Sequence, residues 1–339
     1  FLKKRYDSNI VIFIAAIAII VFLFASMTAQ WVGGARLIQS LTGLDYTAAL
    51  LVFGVTVLIY VTIGGFRAVA LTDALQGTIM IIGTVILLIG TIIAGGGLDN
   101  IMQKLVAENP NFISPFGATE NLTPLYVSTF WILIGLGVIG LPQIAVRAMS
   151  YKNSQSLHRA ILIGTIGIGT IMFGMHLIGV FARPVLPGIE IADTVMPLIT
   201  LEVLPPVLAG IVLATPMAAI MSTVNAVLIL VSSTVIKDIY LNFINPTATD
   251  TQIKNRSFIV TTVIGLAVVL FALNPPDFLI WLNLFAFGGL EAAFLWSVVF
   301  GLYWKKANKY GAIASMVVGI TLYILIDRLS PHIFGMHTV

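Results

Sequence analysis

The sequence predicts an all-α integral membrane protein of nine transmembrane helices. Three observations predict it: too little charge to cover a water-facing surface, nine apolar stretches that fit a bilayer, and basic residues sorted between alternate connections. Hydrophobic residues make up 59% of the 339-residue chain and charged residues 9%, where a water-soluble domain carries about 25% charged residues. An interior alone cannot absorb that much apolar surface. The exterior is therefore apolar as well, and the solvent is the lipid bilayer.

About 20 apolar residues cross the hydrocarbon core. The stretches that meet this are 10–36, 47–66, 71–96, 124–146, 157–183, 206–236, 256–274, 278–304 and 309–327. From Ile10 to Met27 the only polar side chain is Ser26. Numbering the connections alternately from the N-terminal segment tests the count. One set holds Lys3, Lys4, Arg5, Arg67, Arg147, Lys152, Arg159, Lys237, Lys254, Arg256, Lys305, Lys306 and Lys309; the other holds Arg36, Lys104, Arg183 and Arg328. Together these are all 17 basic residues. A wrong span count would scramble this sorting, so the positive-inside rule places the N-terminus in the cytoplasm and the C-terminus outside.

The outer connections carry most of the acids, among them Asp45, Asp99, Glu108, Glu190, Asp193 and Asp327. Two of them, 97–123 and 184–205, have room for a short surface helix. Asn121-Leu122-Thr123 matches a glycosylation sequon and is read as chance. Residues 1–339 read as a single transmembrane domain. The chain starts at Phe1 rather than Met and stops at Val339 soon after an apolar run, so it reads as incomplete at both ends.

Composition also excludes function classes. Without cysteine there are no disulfides, thiolate metal sites or cysteine nucleophiles. A net charge of +3 with scattered basic residues gives no nucleic-acid footprint. No HExxH, phosphate-cradling loop or GxSxG elbow is present, and four scattered histidines make no metal site. A transport protein fits better than an enzyme.

Polar groups inside spans are costly, about 2.5–3.5 kcal/mol for a central charge on insertion scales, so they mark where function sits. In the sixth span Pro216 frees a carbonyl one turn earlier. Ala219, Ser222 and Thr223 fall at i, i+3 and i+4 on one face. Two hydroxyls and a carbonyl suit a small hard cation such as Na⁺. The competing reading is that the hydroxyls bond back to carbonyls and help helices pack, and spacing alone favours it. Glu291 is the only carboxylate deep in a span; it reads as a proton or cation site, or as a protonated, hydrogen-bonded packing group. The fourth span, with Gly135, Gly137, Gly140 and Pro142, reads as a broken helix of the kind that lines a transporter cavity. Asp73 reads as a helix N-terminal acid or a partner for Arg67, and His176 as a hydrogen-bonded packing residue. Trp31, Trp131, Trp281 and Trp304 fit interfacial anchors.

Several runs together resemble the sodium:solute symporter family. They are Gly64-Gly65-Phe66-Arg67-Ala68-Val69, Thr72-Asp73-Ala74-Leu75-Gln76, Gly140-Leu141-Pro142 and Ala218-Ala219-Ile220-Met221-Ser222-Thr223. The likeness covers essentially the whole chain. Within the family, Ala145-Val146-Arg147, Ser150-Tyr151-Lys152, His158-Arg159, the run from Met172 to Leu177 and that from Met217 to Asn225 resemble the pantothenate-carrying subgroup.

The resemblance implies a LeuT-type inverted-repeat bundle, of which this chain holds about core helices three to eleven. It implies a sodium site on the Ala219 carbonyl and the Ser222 and Thr223 hydroxyls, completed by a first core helix that precedes Phe1. It reverses the packing reading favoured by spacing. Asp73 matches an acidic position that affects sodium dependence. The broken fourth span matches the cavity-lining sixth core helix. The aromatic pocket residues of the proline and sugar carriers fall on Ile134 and Val138, which argues against those solutes. Gln143 and Glu291 complete the candidate solute cavity. The expected partners are Na⁺, a small carboxylate solute such as pantothenate, and the lipid of the inner (plasma) membrane. No lysine or arginine lies deep in a span, so the solute carboxylate would face a helix N-terminus or the absent helices. Two alternatives stay open: a proton-coupled carrier working through Glu291, and a membrane solute sensor or channel-like protein.

Overall fold

Lipid offers no hydrogen-bond partners, so a crossing segment must close its backbone bonds within itself. The apolar stretches accordingly form helices. The computed structural model describes residues 1–115, 117, 123–149, 151–275, 279–329, 332–333 and 336–337, with the backbone alone described at 63–71, 147, 332–333 and 336–337. In chain order the helices are α1 (Leu2–Tyr6), α2 (Asn9–Thr42), α3 (Tyr46–Ala94), α4 (Leu98–Glu108), α5 (Pro124–Gly135), α6 (Pro142–Ala148), α7 (Ser154–Val185), α8 (Val195–Val203), α9 (Pro206–Ser233), α10 (Asp250–Ala272), α11 (Ile280–Tyr303) and α12 (Lys309–Leu329). Among the described residues seven helices are long and apolar enough to cross a membrane. Two shorter apolar helices, Tyr46–Thr62 and Pro124–Gly140, lie where the sequence places its second and fourth spans.

Helix α3 is assigned as one helix of 49 residues. Straight, it would measure about 73 Å, more than twice the ~30 Å hydrocarbon core. Its contacts show that it folds back instead. Along the first arm the Tyr46 hydroxyl donates to the Ala272 carbonyl at 2.6 Å, and Tyr60 reaches Asn225 on α9. Along the second arm Thr215 donates to the Ile79 carbonyl at 3.4 Å, and Gly90 meets Leu204 just before α9. The chain thus passes Asn225 going one way and returns past Thr215 to Leu204. The reversal falls in the stretch holding Gly64-Gly65 and Arg67, so the two expected spans are the arms of a bent helix.

The core sits where α2, α9 and α11 meet. In the apolar window of α11, 56% of residues are buried, and in that of α2, 50%; α7 and α12, on the periphery, have 11% and 17%. Their outward side chains, such as Ile163 and Phe173, are exposed, as lipid contact requires. Gly289 lets α11 approach α2 closely: a Cβ there would lie 2.0 Å from the Phe22 ring. Polar pairs fasten the apolar helices to one another. Ser26 on α2 donates to Asn283 on α11 at 2.9 Å, and Ser232 on α9 meets Thr261 on α10 at 2.8 Å.

At one end of the bundle α1 closes on α11. The Arg5 Nε donates to the Gly301 carbonyl at 2.6 Å and its Nη2 to the Trp304 carbonyl at 2.9 Å, satisfying carbonyls that the helix end leaves open. At the other end the two long connections carry the expected short helices, α4 and α8. Glu108 at the end of α4 pairs with Arg183 at 2.6 Å. Asp193, in a 3-10 turn before α8, accepts from the Leu279 N–H at 3.3 Å. The sequon at Asn121 lies outside the described residues.

One tryptophan differs from expectation. Trp281 and Trp304 are exposed at the two ends of α11 and Trp131 is exposed within α5, but Trp31 is fully buried. Helix α2 continues to Thr42, so Trp31 falls within the bundle and packs edge-on against Phe53, centroids 6.0 Å apart. His176 does hydrogen-bond, its Nδ1 lying 2.6 Å from the Met172 carbonyl, but the residue is exposed rather than packed.

Candidate functional site

Two structures stand out within the bundle: an oxygen-rich turn on α9 and a break between α5 and α6. Pro216 sits inside α9 without ending it. One turn later the Ser222 hydroxyl donates to the Ala219 carbonyl at 3.1 Å, and the Thr223 hydroxyl donates to the same carbonyl at 3.1 Å. The three sequence-predicted oxygens therefore converge on one face. All three residues are half-buried, so they are neither in open lipid nor sealed in the core. A carbonyl and two rotatable hydroxyls offer neutral oxygen donors, and each hydroxyl can turn its proton aside to present a lone pair. That donor set suits a monovalent hard cation.

Beside this turn lies a polar group that the sequence alone did not bring together. Tyr60 on α3 donates to the side chain of Asn225, two residues beyond Thr223. Asn225 is fully buried, and its amide nitrogen has no partner among the described residues. Asp73, on the second arm of α3, is half-buried. The second arm runs antiparallel to α9, with Ile79 at Thr215 and Gly90 at Leu204, so Asp73, before Ile79, lies on the side of the α9 oxygens. Tyr60 and Asn225 are 165 residues apart and follow no periodic pattern, so only the fold joins them. The Arg67 side chain, the other expected partner of Asp73, lies outside the described residues.

The fourth span is broken, as its glycines and proline predict. Helix α5 ends at Gly135, a 3-10 turn covers Gly137–Gly140, and α6 begins at Pro142. The Leu136 N–H still reaches the Ile132 carbonyl at 2.9 Å, but the Ile139 N–H bonds to the Leu136 carbonyl and the Leu141 N–H to the Val138 carbonyl. Proline at 142 opens α6, where its missing N–H is harmless. The break lies flush on α11. A Cβ at Gly137 would fall 1.8 Å from the Glu291 Oε2, and one at Gly140 would fall 3.1 Å from the Glu291 Cα. Two separate sequence candidates, the broken span and Glu291, are therefore one assembly.

A cavity of about 940 Å³ opens beside them, lined by Leu133, Leu136, Gly137, Ile139, Glu291 and Tyr323 among others. Ile134 and Val138 are not among its lining residues. Ile134 is exposed, and Val138 packs on the main core. Gln143, near the start of α6, buries its Oε1 without a hydrogen-bond partner among the described residues.

Comparison with known proteins decides the family. The sequence profile of the sodium:solute symporter family matches residues 1–319. The chain belongs to the sodium:solute symporter family. It is a sodium-coupled solute carrier and not an enzyme. The chain is 49% identical over 337 residues to a sodium/pantothenate symporter of Haemophilus influenzae, covering 99% of this chain and 69% of that one. It is 47% identical over 340 residues to a sodium/pantothenate symporter of Escherichia coli, covering 100% of this chain and 70% of that one. The solved structure of a Na⁺-coupled sialic acid symporter, in a substrate-bound outward-open state, superposes with a TM-score of 0.77 at 20% identity, covering 98% of this chain and 72% of that one. The fold is the LeuT-type bundle that the resemblance implies.

Proposed function

We propose that this carrier imports pantothenate with sodium by alternating access. The observation that carries the sodium half is the convergence of the Ser222 and Thr223 hydroxyls on the Ala219 carbonyl, each at 3.1 Å. In this reading these three oxygens ligate Na⁺, and Asp73, acting through Tyr60 and Asn225, couples the ion to the movement of α3. Ile134, Val138, Gln143 and Glu291 belong to the solute side. The solute assignment is supported by 49% and 47% identity to two sodium/pantothenate symporters. Residues 1–339 act as one transmembrane unit of nine spans. The charge sorting, 13 basic residues against four, supports a cytoplasmic N-terminus and an external C-terminus for this stretch.

Linkage gives the test its sign: if Na⁺ strengthens solute binding, solute strengthens Na⁺ binding by the same factor. Uptake of labelled pantothenate by the full-length protein in proteoliposomes is expected to require an inward Na⁺ gradient. Equal solute affinity with and without Na⁺ would remove the coupling. Uptake driven by a H⁺ gradient alone would support the proton-coupled alternative instead.

A further inference from the structure

The most unusual group in the bundle is Glu291. It is 9% exposed, and no hydrogen bond or ion pair reaches its carboxyl among the described residues. Its carboxyl lies against Gly137 so closely that a Cβ there would meet Oε2 at 1.8 Å. It also lines the cavity of about 940 Å³, whose other walls are largely apolar.

The surroundings decide what such a carboxyl can hold. Gly137 follows directly on the C-terminal end of α5, where carbonyls lack intrahelical donors and carry the negative pole of the helix. A carboxylate faces repulsion there, whereas a carboxylic acid offers the O–H those carbonyls lack. Among the described side chains, the charged and titratable groups packed around it supply no cation; the strand Met336–His337, whose side chains lie outside the described residues, also packs on α5. From α12 comes Tyr323, whose hydroxyl donates to the Phe285 carbonyl at 3.1 Å, with Asp327 one turn beyond. From α2 comes Phe22, an apolar ring. The broken span itself contributes none up to Arg147, whose side chain lies outside the described residues.

We propose that Glu291 is a proton-binding site that joins the broken span to α11. With the proton bound, the carboxyl seats in the notch at Gly137 and donates to the end of α5. When the proton leaves, the carboxylate withdraws into the cavity and the break parts from α11. The proton goes to water in the cavity, and no covalent bond changes. The site holds for any solute and does not depend on pantothenate being the cargo. It makes transport pH-sensitive without making protons the driving ion.

The test is Na⁺-driven uptake by the full-length carrier from about pH 5 to about pH 8, in wild type and Glu291→Gln. Glutamine keeps the size and a permanent N–H donor, so the variant mimics the protonated state. Wild-type uptake is expected to change severalfold across this range while Glu291→Gln stays flat with an unchanged half-saturating Na⁺. A Glu291→Gln profile that parallels wild type, or a flat wild-type profile, overturns the proposal. Gly137→Ala supplies a steric arm, with each variant normalised to its amount in the membrane. It is expected to lose most uptake, and Glu291→Ala added to it to recover a measurable part. Equal uptake by Gly137→Ala and wild type, or no recovery in the double variant, shows that the carboxyl does not seat at the break.

Discussion

The oxygen turn of α9 and the break between α5 and α6 solve opposite problems. In α9 the helix stays regular through Pro216, and the oxygens proposed as ligands already rest on each other, Ser222 and Thr223 both donating to Ala219. In the proposed site such a turn holds its shape through these bonds and would need only hydroxyl rotation to receive the ion. At the break the ladder is interrupted, and a carboxyl without a partner among the described residues lies against the exposed backbone. In the reading proposed above, a bound proton completes that region. The difference teaches that a transporter can keep ion selection on a rigid helix while placing conformational freedom on an interrupted one.

The largest expected effect falls on the rigid side. Ser222→Ala with Thr223→Ala removes two proposed ion ligands, each worth about 1.5 kcal/mol by analogy with hydrogen bonds to charged groups. The half-saturating Na⁺ for uptake should therefore rise by on the order of a hundredfold, with the protein still folded in the membrane. Unchanged sodium activation would show that the hydroxyls only pack. Asp73→Asn tests whether the ion side extends to α3: sodium activation should weaken by roughly tenfold, and solute affinity measured at saturating Na⁺ should not change. A loss of solute affinity alone would place Asp73 elsewhere in the cycle.

Next come changes in scaffold packing. Gly289→Ala drives a methyl into the Phe22 ring and should cost about 1–3 kcal/mol, seen as a lower melting temperature of the purified carrier in detergent. No shift would mean that α2 and α11 separate freely. The smallest effect belongs to Asp193, outside the spans. Burial pushes its carboxyl above the usual aspartate range, while the Leu279 N–H and Arg36 pull it back. The folded state thus keeps this proton to higher pH than the unfolded chain, so stability falls slightly as pH rises above the ordinary aspartate value near 4. Asp193→Asn should flatten that slope in melting temperature; an unchanged slope assigns it to other groups.

Most of the fold is legible in the sequence because lipid forces apolar length and basic sorting onto every span. The break is legible too, since Gly135, Gly137, Gly140 and Pro142 oppose a continuous helix. The sodium face is not legible from spacing alone. Hydroxyls that ligate an ion and hydroxyls that bond back to a carbonyl use the same i, i+3, i+4 pattern, and in the structure Ser222 and Thr223 make the back-bonds in either case. Only the family resemblance tips that choice. Trp31 misleads because an indole suits both an interface and a core. The Tyr60–Asn225 pair and the grip of Arg5 on α11 join residues far apart in sequence, and no local pattern announces them.

The turn within α3 has a mechanical consequence. Its first arm is keyed to α10 through Tyr46 and its second to α9 through Thr215, and the two are joined directly through residues 63–71. A loop would act as slack, letting one arm tilt while the other stayed still. A tight reversal leaves little of that slack, so a tilt of one arm pulls on the near end of the other. The length of that elbow then limits how far the α10 side can move without disturbing the α9 turn.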